Sequence, residues 1–385
     1  MSDAPDLRIG VVGLGWMGQV HARAWSRLLQ HYPDSARRPV LVAVADTVID
    51  DRTRRAAASL GFGELVADWR ELVARDDLDL VCVTGPNFIH REVGVAVAQS
   101  GKHLWIEKPA GRNAAETAEI AAAVDAAGVQ SAAGFNYRNA PGVERAREIV
   151  ASGRIGRIEH TTVRFLSDYA AHPDGALSWR FDDEFSGSGV LGDLVSHAVD
   201  LAEHVVGPIA ELVADQATFI AERPEATPGA LHYERGSGAR GPVGNEDYVT
   251  ALLRFADGSR GMLESSRVAV AEQNTYGFEI HGTTGAVAWD FRRLNELRTA
   301  FAEDYQNASW TTEYVTPASG EMRAFQPGAG NAMGFDDLKV IEAHRLVESI
   351  AQAKPIGATI HDALRAARTL DAVRASVAGR SWVNL

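Results

Sequence analysis

The chain has 385 residues, 46% hydrophobic and 23% charged, an ordinary globular composition long enough for two domains with buried cores and unlike that of a disordered chain. A formal charge of −13 with no long basic run argues against nucleic acid or an anionic membrane surface as partner. No apolar run reaches membrane-spanning length, the opening residues are acidic where a signal peptide is basic, and the single cysteine, Cys82, lies in an apolar run that reads as strand packing, so a cytoplasmic protein is expected.

The first element is an apolar strand at 8–12 that runs straight into Gly13-Leu14-Gly15-Trp16-Met17-Gly18. In such a strand–turn–helix the first glycine permits the tight turn, the second lets backbone approach a pyrophosphate, and the third lets the helix pack on the strand. The helix, beginning near Trp16, aims its free N–H groups at the anion. A polar loop at 30–39 leads to a second apolar strand at 40–45, and Asp46 follows it, placed to accept the adenosine ribose hydroxyls. That carboxylate repels a 2′-phosphate and favours NAD over NADP. Arg52, Arg54 and Arg55 keep NADP open but read best as a solvated helix face.

Helices at 53–60 and 69–74, a strand at 79–84, a helix at 89–99, a strand at 103–106, a helix at 114–127 and a strand at 129–134 complete the alternation expected of a doubly wound parallel sheet. This dinucleotide-binding Rossmann domain is placed at 1–136. Alternating segments at 158–165, 210–220, 249–255, 260–268 and 275–281 then predict a large, mostly antiparallel sheet covered by helices, an α+β domain over 137–385 for substrate binding and oligomerisation. Between them the Gly-, Pro- and Arg-rich stretch 222–244 reads as a mobile surface insertion.

Two further constellations carry polar chemistry. Glu107-Lys108-Pro109 sits at the carboxyl end of a strand, where ligands bind in open α/β sheets. Asp193 and His197 are four apart on an expected helix and share a face, which Asp200 and His204 extend. Such a stripe is commonly a solvated face, and without a third ligand it makes no metal site.

Taken together, Gly13 to Gly18 with His21, Thr84-Gly85-Pro86-Asn87 with His90, Glu107-Lys108-Pro109, and Gly189-x-x-x-Asp193-x-x-x-His197 resemble the glucose-fructose oxidoreductase / inositol dehydrogenase / MocA family of NAD(P)-dependent sugar and polyol dehydrogenases. The likeness spans the whole chain, including 280–286 and 373–385, and departs from it in the inserted Gly85. It implies hydride transfer between a cyclic polyol, inositol, monosaccharide or anhydrosugar CH–OH and NAD, with His197 as base, Asp193 orienting its ring, and Lys108 bonded to the reacting oxygen and able to relay or take the proton. It further implies Thr84, Pro86, Asn87, His90, Glu107, Lys108, Trp179 and Arg180 around the cofactor, and Lys108, Tyr137, Arg164, Trp179, Asp193 and His197 around the substrate, with Arg138 near the cleft. Tyr137 and Trp179 also read as packing. Relatives that use bound NAD in a net glycoside hydrolase or lyase reaction, that reduce keto-sugars, or that act as non-catalytic nucleotide-responsive regulators remain alternatives. Retention of Lys108, Asp193 and His197 argues against the last. A homodimer or homotetramer is expected, because such a broad sheet buries its open face against another subunit.

Overall fold

The computed structural model describes residues 4–226, 234–302 and 305–385. They fall into two compact units, Met1–Asn139 with Met333–Arg365, and Ala140–Ala332 with Ala366–Leu385.

The first unit runs β1 (Asp6–Val12), α1 (Trp16–His31), β2 (Arg38–Ala45), α2 (Asp51–Leu60), β3 (Glu64–Val66), α3 (Trp69–Val73), β4 (Leu80–Val83), α4 (Asn87–Gln99), β5 (His103–Ile106), α5 (Ala114–Ala127) and β6 (Ser131–Ala133). Its sheet has the order β3-β2-β1-β4-β5-β6, with every pairing parallel. The order reverses between β1 and β4, and the crevice at their carboxyl ends is the ligand position of a doubly wound fold. Strand β4 is buried at every residue, which is why it reads as an unbroken apolar run. Cys82 within it accepts a hydrogen bond from the Trp25 indole at 3.3 Å, and burial pushes its thiol up to about 12, so it is inert packing. Three details differ from the sequence reading. Helix α1 continues to His31, α4 starts already at Asn87, and β3 is too short to show any periodicity.

The expected division at 136/137 is corrected by the return of residues 333–365 to the first unit. The cause is a helix at Phe335–Gln352 that lies along α1 and buries Leu338, Val340, Ile341 and Leu346. Ion pairs Arg23–Asp336 at 2.7 Å and Arg27–Asp337 at 2.6 Å fix its first turn. Lys339 is fully buried, donates to Glu107, and lies 2.8 Å from Glu342. His21, also fully buried, places Nε2 2.8 Å from Glu107 Oε1 and its ring 3.8 Å from Trp105. Burial lowers its pKa to about 4, so the ring is neutral and donates through Nε2.

In the second unit the chain continues through α6 (Pro141–Ala151), β7 (Ile158–Leu166), α7 (Asp183–Ser186), α8 (Ser196–Val205), β8 (Ile209–Ala217), β9 (Glu222–Pro224), β10 (Arg240–Pro242), β11 (Tyr248–Phe255), β12 (Arg260–Ser266), β13 (Thr275–Gly282), β14 (Gly285–Asp290), β15 (Glu296–Phe301), β16 (Thr311–Tyr314) and β17 (Val383–Asn384). A nine-stranded sheet orders them β16-β15-β14-β13-β7-β12-β11-β8-β17, and only the β7–β12 pairing is parallel. Strands β14 to β17 were not among the expected segments. The centre of β14 is buried on both faces and shows no alternation, and β16 and β17 are short. The ends of the stretch 222–244 pair as an antiparallel ribbon, β9 with β10, and Arg223 within it is fully buried rather than on a surface insertion. Residues 227–233 of that stretch lie outside the described residues. Among the described residues no helix is long and apolar enough to cross a membrane.

The pairing of Glu107 has a measurable consequence. Replacing Lys339 by Met strands a buried carboxylate and is expected to cost about 3–5 kcal/mol in urea unfolding at pH 7. The pH dependence has a definite sign: unfolded His21 takes a proton near pH 6.5 while the native ring resists to about 4. Its contribution is whole above pH 6.5 and is lost as the pH falls towards 4, a change of about 3 kcal/mol. A His21→Gln variant should show a flatter stability profile across that window; an unchanged slope would contradict the assignment.

Candidate functional site

In the first unit the glycine turn has the shape an anion needs. Gly13 adopts φ +92°, a left-handed conformation that other residues resist. A side chain at Gly18 would place its Cβ 1.9 Å from the Gly13 carbonyl oxygen and force α1 off the strand. At Gly15, by contrast, a Cβ would meet nothing within 4 Å, so the turn leaves open space in front of an α1 N-terminus that has no side-chain cap. Met17 lies half-buried in the first turn of α1. Asp46, directly after β2, accepts from the Leu14 amide at 2.8 Å and from the Val48 amide at 2.9 Å. Each carboxylate oxygen keeps acceptor capacity for a ribose hydroxyl. Arg52, Arg54 and Arg55 are exposed on α2, as a solvated helix face requires. The Thr84 hydroxyl is 2.8 Å from the Gly13 carbonyl, Pro86 caps α4, and Asn87 is the first residue of that helix. These residues together fit a bound dinucleotide.

Two expected cofactor contacts are corrected. The Glu107 carboxylate is buried and committed to His21 and Lys339, so it faces the core of its own unit. His90 is 1% exposed, with its two ring nitrogens each 2.8 Å from a backbone carbonyl, those of Pro109 and of the inserted Gly85. It ties the loop after β4 to the loop after β5 and has no nitrogen left for a ligand. Lys108, beside Glu107, is half-buried and precedes a cis peptide bond to Pro109. Trp16 is exposed and stacks on Phe335 with ring centroids 5.4 Å apart, and Tyr137 meets the same ring edge-on at 5.9 Å. Phe335 escaped the sequence reading because it arrives on the returning helix. Arg138 is also structural, buried and 3.2 Å from Asp362.

In the second unit Asp193 and His197 do not lie on one regular helix. Leu191–Val195 forms a π-helical turn that passes into α8, an arrangement often found at functional positions. His197 and Asp200 are both buried, so the stripe is not a solvated face. Asp193 accepts a 2.6 Å hydrogen bond from the Tyr169 hydroxyl. Burial and the adjacent Asp193 carboxylate hold the Tyr169 pKa well above that of an ordinary tyrosine, so it is a permanent donor. The His197 carbonyl accepts from the Tyr276 hydroxyl at 2.8 Å, and Phe165, stacked on Tyr276, is 6.1 Å from the His197 ring.

Three consecutive buried polar residues hold this turn. Glu246 accepts from the Gly189 and Leu191 amides at 2.9 and 2.8 Å. Asp247 pairs with Arg267 at 2.8 Å, both side chains being almost wholly buried. Asn245 accepts from Arg267 at 2.7 Å and donates to the Arg180 carbonyl at 2.9 Å. The sequence signal was a run of polar residues entering an apolar strand, which reads as the end of a loop. Tyr169 carried no signal at all.

Arg164, expected at the substrate, is corrected by strand alternation: Val163 and Phe165 face α8, whereas Arg164 projects from the opposite, open face of β7. Trp179 and Arg180 share a single 3-10 turn, with the guanidinium 4.5 Å from the indole ring.

Comparison with known proteins agrees with this reading. Residues 7–135 match the family model described as oxidoreductase family, NAD-binding Rossmann fold, and residues 143–288 match the GFO/IDH/MocA C-terminal domain. The chain is 34% identical to a levoglucosan dehydrogenase of Pseudarthrobacter phenanthrenivorans over 99% of its own length and 98% of the relative's. An inositol 2-dehydrogenase of Rhizobium meliloti is 27% identical over 91% of this chain and 98% of its own. A structure of levoglucosan dehydrogenase in complex with NADH and levoglucosan superposes with a TM-score of 0.92 at 33% identity, covering 98% of this chain and 99% of that one. Both halves of the chain therefore carry the family's signature, and the protein belongs to the GFO/IDH/MocA oxidoreductases with an NAD-binding Rossmann domain.

Proposed function

We propose that this protein is an NAD-dependent dehydrogenase that oxidises a secondary alcohol of a sugar, anhydrosugar or cyclic polyol. The observation that carries the reading is Asp193, held in a π-helical turn by Glu246 and bonded to the permanently neutral Tyr169, four residues before a buried His197. A half-buried carboxylate fixed by Tyr169 and a buried imidazole one turn on suit proton transfer from a hydroxyl. When bound, NAD supplies the hydride acceptor. His197 takes the hydroxyl proton, Asp193 stabilises the imidazolium, and Lys108 hydrogen-bonds the reacting oxygen. Likeness to a levoglucosan dehydrogenase over nearly the full length of both chains supports a pyranose-sized ring substrate. Asp46 selects NAD by occupying the position a 2′-phosphate would need. The protein works in the cytoplasm as a homodimer or homotetramer. Leu252 and Met262, 53% and 44% exposed and paired across β11 and β12, supply an apolar patch for the contact between copies.

Lys108→Ala and His197→Ala should each lower kcat by about 10²–10⁴-fold in an assay at 340 nm, with NAD affinity by titration calorimetry little changed. Near wild-type turnover in both would remove them from the reaction. Asp46→Ser should narrow the ratio of kcat/KM for NAD over NADP by at least about tenfold; an unchanged ratio would place selectivity elsewhere. Light scattering should give two or four times the 41.4 kDa chain mass, and a monomer at micromolar concentration would refute the assembly.

A further inference from the structure

A cavity of about 150 Å³ in the second unit is lined by Tyr169, His172, Arg180, Phe181, Arg223 and Arg235, along with small residues. The Arg223 guanidinium lies in its wall and is fully buried. One terminal nitrogen donates to the His172 carbonyl at 2.9 Å and the other to the Ala170 carbonyl, while its face lies 4.3 Å from the Phe181 ring. Its Nε–H is buried with no hydrogen-bond partner. Among the described residues no carboxylate lies within ion-pair distance of Arg223, Arg180 or Arg235. Asp247, whose charge acts on Arg223, is already bonded to Arg267 and to the Phe219 and Ile220 amides. A buried guanidinium is ordinarily matched by a carboxylate or another oxyanion, because its desolvation is costly and its planar donors are shaped for one.

The same cavity reaches the chemistry through Tyr169, which lines it and donates to Asp193. We infer that this cavity is an anion subsite for the substrate, and that the favoured substrate is a sugar or polyol bearing a carboxylate. The carboxylate is held by Arg180 and Arg235, over the uncompensated positive charge of Arg223 buried behind them, which sets the carbinol beside Asp193. This rests on the dehydrogenase reading above and narrows its substrate class.

The test is calorimetric titration of the NADH-loaded protein with D-glucuronate, D-glucose and sodium sulfate, paired with reduction of NAD by the two sugars and by a panel of anhydrosugars and inositols. Arg223 supports the fold through its carbonyl contacts, so the variant that reads the subsite is Arg235→Gln, on an exposed residue. Glucuronate is expected to bind at least tenfold more tightly than glucose, and Arg235→Gln to reduce that preference severalfold. Equal binding of the two sugars, or failure of both to bind, would overturn the subsite. Sulfate binding as tightly as glucuronate would mark a site for free oxyanions and overturn the substrate assignment. Glucuronate binding without NAD reduction by any sugar or polyol would uphold the subsite while overturning the dehydrogenase, so the two failures are distinguishable.

Discussion

A carboxylate buried one residue before a lysine governs the first unit. Strand β5 ends at Ile106, and Glu107 continues into the core, where it meets the ammonium of Lys339 and the neutral ring of His21. The chain is therefore pinned next to Lys108. An unpaired carboxylate at this depth would be strongly unfavourable, so the helix at Phe335–Gln352 is required by electrostatics as well as by packing. His90 completes the support from the other side, joining the loops after β4 and β5. Residues that resemble ligand contacts in the sequence thus work one layer behind, in the positioning of their neighbours.

The second unit solves the equivalent problem with hydrogen bonds to backbone. A π-helical turn leaves amide groups that a regular helix would satisfy differently, and the Glu246 side chain takes two amides at its entrance. Arg267 and Asp247 then lock Asn245 and Glu246 in place with one of the most deeply buried ion pairs of the unit. The result is a fixed setting for a half-buried Asp193 and a buried His197, in which preorganisation replaces solvent reorganisation.

Much of this was legible from the chain alone. The glycine turn, Asp46 and the alternating strands and helices carry local signals, since each depends on residues within about 30 positions of one another. The family's motifs singled out Lys108, Asp193 and His197 as candidates. What stayed hidden was everything whose partner is remote in sequence. Lys339 looks like a surface lysine of an amphipathic helix until Glu107, 232 residues earlier, is placed against it. Tyr169 and the Asn245–Glu246–Asp247 run are similar cases, because polar residues at the edge of a loop give no sign of being buried. Arg164 was misplaced for a simpler reason: strand alternation fixes two faces but leaves open which one meets the helix.

The reach from Glu107 to Lys339 also sets an order of events during synthesis. At roughly 5–20 residues per second, about 10–50 s separate the appearance of the acid from that of its counter-charge. For most of that interval the six parallel strands are already made, but the carboxylate has no ammonium to meet and the groove along α1 has no helix to fill it. The nucleotide-binding half, though encoded first, is finished only after most of the other half has left the ribosome. A nascent chain of this fold is therefore exposed to chaperones and proteases through its N-terminal domain for longer than that domain's position in the sequence would suggest.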